Sequence, residues 1–106
     1  MPNYLIEASY TTEGVGGVAD KGGTARREAV EQLIASAGGR LECFYFAFGD
    51  ADVYAIADLP DNEAATAMAL AINGSGAVTL ETIPLLTPEE VDAASKKSVE
   101  FRPAGG

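Results

Sequence analysis

A chain of 106 residues has material for one domain with a real core and not for two. Sixteen acidic against seven basic side chains give a formal net charge of −9, a field that opposes phosphate backbones and anionic membranes. The chain has no histidine, which excludes Ser-His-Asp and Cys-His catalysis and His-based zinc or iron sites; general acids or bases must come from Asp, Glu, Lys or Tyr.

Residues 3–10 (NYLIEASY) alternate, with Tyr4, Ile6, Ala8 and Tyr10 on one side and Leu5, Glu7 and Ser9 on the other, which predicts a strand. The glycine-rich run that follows, TTEGVGGVADKGG, predicts a mobile loop with one helical turn at most, capped by Thr11 or Thr12, because each interior glycine costs a helix about 1 kcal/mol relative to alanine. Residues 24–37 predict a helix with Ala29, Val30, Leu33, Ile34 and Ala37 inward, Thr24 as N-cap and Gly38-Gly39 as a left-handed stop.

Residues 38–61 then predict a β-hairpin, with strands near 40–48 and 52–59 and a turn at Gly49-Asp50. Its first strand is apolar on both faces. Phe44, Phe46 and Phe48 alternate with Leu41, Cys43, Tyr45 and Ala47. Pro60-Asp61 opens a second helix with Asp61 as N-cap, a core face of Ala64, Ala67, Met68, Ala71 and Ile72, and a stop at Asn73-Gly74. Residues 76–83 make a fourth strand, confined to an edge by Pro84. Thr87-Pro88-Glu89-Glu90 is a capping box that starts a short helix over about 88–95.

The order βαββαβ plus a C-terminal helix predicts an α+β, ferredoxin-like domain over 1–95: an antiparallel four-stranded sheet with two helices on one face. The other face of an aromatic strand is then left without intramolecular cover. A second copy of the chain is the expected cover, making a homodimer or higher oligomer. The tail, 96–106, is too polar to hold itself and is expected to pack on a neighbouring subunit.

Several constellations carry candidate chemistry. Gly22-Gly23-Thr24-Ala25-Arg26 sets a glycine pair and an arginine at a helix start, where backbone N–H groups and a guanidinium can hold a carboxylate or phosphate. The preferred reading is structural, with the glycines shaping a turn and Arg26 paired to an acid such as Glu7 or Asp52. Tyr10, Tyr45 and Tyr54 are the candidate wall of a small-molecule pocket, with Arg26 and Asp52 as its polar partners. Asp50, Asp52, Asp58 and Asp61 do not make a metal site, since Asp52 and Asp58 lie about 20 Å apart along an extended strand.

The FYFAF run lacks the basic flanks of an RNA-stacking platform, and Cys43, the single cysteine, reads as a small buried apolar residue. No motif implies a cofactor. No apolar run approaches the roughly 20 residues of a membrane span, and no basic-then-apolar leader opens the chain, so a cytoplasmic location is expected.

Tyr4, YTTEG at 10–14, GGTAR at 22–26, Gly38-Gly39, Gly49 with Asp52, Pro60-Asp61 and LTPEE at 86–90 together resemble the GYD domain family over nearly the whole chain. The family's Gly-x-Tyr-Asp-like segment departs here, with Ala51 in the aromatic slot. The resemblance implies small prokaryotic proteins of ferredoxin-like fold, similar in architecture to the dimeric α/β barrel group. That group includes cofactor-independent oxygenases, isomerases and stress proteins, and fold analogy does not choose among them. A binding or assembly module is the expected function, with a cofactor-independent enzyme as the alternative.

Overall fold

A computed structural model describes residues 1–105. Its elements are β1 (Asn3–Tyr10), α1 (Thr12–Lys21), α2 (Gly23–Ser36), β2 (Arg40–Phe46), β3 (Val53–Asp58), α3 (Asn62–Gly74), β4 (Val78–Leu85) and α4 (Pro88–Ser95). All strand pairs are antiparallel and the order is β2-β3-β1-β4, the arrangement of a ferredoxin-like fold. Pro84 lies on β4, an edge strand that pairs only with β1.

The alternation in β1 reads out as expected: Tyr4, Ile6 and Ala8 are buried beneath the helices, together with Val53, Ala55 and Ala57 of β3. Ile34 of α2 and Ala65 and Met68 of α3 close the core from above. The inward face of α3 is rotated from the expected one. Ala65 and Met68 are buried, Ile72 is half-buried, and Ala67 and Ala71 are exposed, so the inward face runs along Ala65, Met68 and Ile72 and leaves Leu70 to solvent.

Caps account for most boundaries. Asp61 accepts from the Ala64 N–H at 2.8 Å, and Thr87 and Glu90 close the capping box on α4. At the end of α2 the Gly38 N–H donates to Ala35 and the Gly39 N–H to Ile34, a Schellman closure that requires the left-handed φ of +85° at Gly38. Thr24 is not the N-cap. The helix starts one residue earlier and its cap is Gly22, which offers no side chain. The stop of α3 also moves, since Gly74 is still helical and Gly76 takes the positive φ, while the Asn73 side chain accepts from the Leu80 N–H at 2.8 Å.

The glycine-rich loop is a ten-residue helix, α1, and this is the largest departure from expectation. Thr11 caps it, and the Thr11 N–H donates to the Ala77 carbonyl at 3.0 Å. At Gly14 a Cβ would collide with that same carbonyl. Glycine here lets the helix reach the start of β4, and that contact offsets the propensity cost the sequence implies.

The hairpin is looser than expected, with β2 ending at Phe46, β3 starting at Val53 and a connection over 47–52 held by the Ala47 N–H to the Asp52 carbonyl at 2.8 Å. A bulge between Leu41 and Cys43 resets the alternation. Leu41, Phe44 and Phe46 therefore face the helices, with Phe44 and Phe46 edge to face at 5.2 Å, while Cys43 and Tyr45 take the open face. Phe48 has left the strand and is fully exposed.

Candidate functional site

The sheet register fixes which candidate residues share a face. Tyr10 follows Ala8 on the helix side of β1, while Tyr45 and Tyr54 are cross-strand partners on the opposite face. The three tyrosines do not line one pocket: Tyr54 pairs with Glu7, out of phase with Ala8 and Tyr10, and Tyr45 pairs with Tyr54, so both lie opposite Tyr10. Asp52 sits at the seam. Its N–H donates to the Ala8 carbonyl and its Oδ2 accepts from the Tyr10 N–H, at 2.8 and 2.9 Å. A carboxylate thus continues the β1–β3 ladder where the backbone of β3 has turned away, and this holds the end of β1 in place.

Arg26 and Tyr10 are brought together. The guanidinium lies over the Tyr10 ring, 5.7 Å from its centroid, within cation–π range. The expected acid partner is missing: among the described residues no carboxylate lies within 4.0 Å of Arg26, and its Nε is buried without an acceptor. The reason is local. Asp52 is committed to the Tyr10 backbone, and Glu7 belongs to the other face of β1. The three ion pairs among the described residues involve Arg27 and Arg40 instead.

Arg26 stands at the floor of an open cleft of about 590 Å³ between α1, α2 and α3. Ala25 and Ala29 of α2 form one wall, Ala71 and Ile72 of α3 another, and Gly17 and Val18 of α1 a third. Lys21 and Glu13 stand on its α1 side. Beneath it, Tyr10, Arg26, Leu33, Ile72 and Val78 also border a small apolar cavity of about 30 Å³ inside the core, so the cleft floor is the roof of that cavity. The small residues on the helix faces make the opening: alanine and glycine leave space where larger side chains would interdigitate. The cleft was not anticipated as such, because its third wall is α1, in the stretch read as a loop.

The opposite face of the sheet carries a second feature. Across the strands run a row of Cys43, Ile56, Leu5 and Ile83 and a neighbouring row of Tyr45, Tyr54, Glu7 and Glu81. Tyr45 is 68% exposed, and among the described residues no helix covers this side. At its rim Arg40 reaches Asp58 at 2.9 Å and Glu42 at 3.6 Å. Every residue from 86 to 105 is exposed, α4 included; Gly106, the last residue of the predicted tail, lies outside the described residues.

The four aspartates are dispersed: Asp52 is on the Tyr10 N–H, Asp58 on Arg40 and Asp61 on the cap of α3, while Asp50 lies in the connection between β2 and β3. No helix among the described residues is long and apolar enough to cross a membrane. A family model described as the GYD domain matches residues 4–95, nearly the whole chain. No curated protein matches it.

Proposed function

The chain belongs to the GYD domain family, and on that footing we propose that it is a homo-oligomeric small-molecule-binding module. The single observation that carries the reading is the cleft over Arg26. Its volume, about 590 Å³, is that of a small-ligand site, roughly 300–1,000 Å³, and its lining is apolar with a few polar groups, as such sites require. Binding is favoured over cofactor-independent catalysis by the placement of the other candidates. Asp52 is engaged by the backbone, and Tyr45 and Tyr54 lie across the sheet, so none of them stands beside Arg26 as a proton acceptor.

The open sheet face supports the oligomer. A continuous apolar row flanked by two tyrosines is the kind of surface that a second copy covers. Glu7 and Glu81, directly opposed on β1 and β4, repel one another and call for a countercharge. Lys96, Lys97 and Arg102, three of the seven basic residues, lie in the exposed tail together with Val99 and Phe101. The tail of a neighbouring subunit matches the acidic and apolar character of this face.

Titration of ¹⁵N-labelled protein with the neutral fluorophore N-phenyl-1-naphthylamine tests the binding role. Saturable shifts at Val18, Ala25, Ala71 and Ile72 are expected. Shifts absent there, or confined to Tyr45 and Ile56, would contradict it.

A further inference from the structure

Resting on that reading, we propose that the ligand of the cleft is an amphipathic monocarboxylate, with its carboxylate on the guanidinium of Arg26 and its apolar part along α2 and α3. Arg26 is a cation held at the base of an open cleft in a chain that has acids to spare, yet among the described residues none of them reaches it. With a net charge of −9, an arginine left without a carboxylate is one whose partner is not supplied by the chain. The buried Nε makes the same point at atomic scale, being a donor shut away from solvent with no acceptor. The cation–π contact with the Tyr10 ring, 5.7 Å from its centroid, restrains the guanidinium before any ligand arrives.

The charge count selects a monoanion. One guanidinium provides a bidentate match to one carboxylate. Lys21 and Glu13, the other charged side chains of the lining, are one of each sign, so the lining carries the net charge of a single cation. A phosphate monoester carries up to two charges and asks for more donors than this site presents. The apolar requirement comes from Ala29, Ala71 and Ile72, which offer surface but no hydrogen bonds from their side chains.

Isothermal titration and ¹⁵N spectra of the full chain with octanoate, octanol, octylamine and octyl phosphate test the assignment. Octanoate is expected to bind about tenfold or more tightly than octanol, with octylamine weakest, since a charged hydrogen bond separates the first two. In Arg26→Gln the preference for octanoate over octanol should vanish while octanol affinity holds, and Arg26→Lys should restore part of it. The comparison within the wild-type protein stands even where a variant fails to fold. Octanol binding as tightly as octanoate, or octyl phosphate binding more tightly, would overturn the proposal. If N-phenyl-1-naphthylamine still shifts Ala71 and Ile72 in that case, the binding role survives and only the carboxylate assignment is lost. If neither the fluorophore nor octanoate moves those resonances, both fail.

Discussion

Two glycines of α1 have opposite worth although both sit in the same helix. At Gly14 an added Cβ meets the Ala77 carbonyl, a backbone atom that cannot swing aside, whereas at Gly16 there is nothing within 4 Å. Gly14→Ala should therefore destabilise the protein by about 1–3 kcal/mol by pushing α1 off the start of β4. Gly16→Ala should stabilise it by about 0.5–1 kcal/mol through helix propensity alone. Urea denaturation of the two variants checks both signs, and equal effects would mean that α1 is not docked as described. The same distinction marks how far single residues could be read. A glycine cluster in a sequence states its propensity cost and not its contact, so 11–23 read as a loop. The acid partner of Arg26 was likewise a matter of which carboxylates were free, and Asp52 was already bound to the Tyr10 N–H. Asp61 and Thr87 were legible because a cap acts within three residues.

At the scale of elements, caps of equal quality should have unequal consequences. Asp61 starts a helix whose Ala65 and Met68 lie in the core, so its loss is felt by the whole fold. Asp61→Ala should lower global stability by about 1 kcal/mol. Thr87 starts α4, which is exposed throughout, and Thr87→Ala should fray that helix while leaving the global unfolding midpoint of the unassembled chain in place. Hydrogen exchange separates the two outcomes; a midpoint shift in Thr87→Ala as large as that in Asp61→Ala would show that α4 is packed. The strand pattern was legible wherever alternation ran unbroken, as in β1. In β2 it held from Cys43 to Phe46, but one extra residue between Leu41 and Cys43 moves Leu41 to the side of Phe44 and Phe46. Phe44 and Phe46 thus lie on the helix side, Phe48 leaves the strand, and the open face is left to Cys43, Tyr45 and their neighbours.

At the scale of the molecule, the sheet divides two roles. Its helix side holds the core and the floor of the cleft, and its other side presents the apolar and tyrosine rows. The fold order was legible because each element carried its own period and punctuation. The cleft was not, because three helices have to meet before their small residues leave a space. The proposed assembly rests on the exposed side: burying a row of Ile56, Leu5 and Ile83 against a second copy would contribute several kcal/mol at about 25 cal/mol per Å². Ile56→Glu, at the middle of that row and remote from the cleft, should then give a folded monomer. Sedimentation velocity of the wild-type chain from about 1 to 100 μM is the direct test, in the size range where a dimer of this kind is expected to persist. The account predicts a species of at least twice the 10.9 kDa chain mass across that range. A single species at 10.9 kDa throughout, with Tyr45 and the apolar row open to solvent, would contradict it.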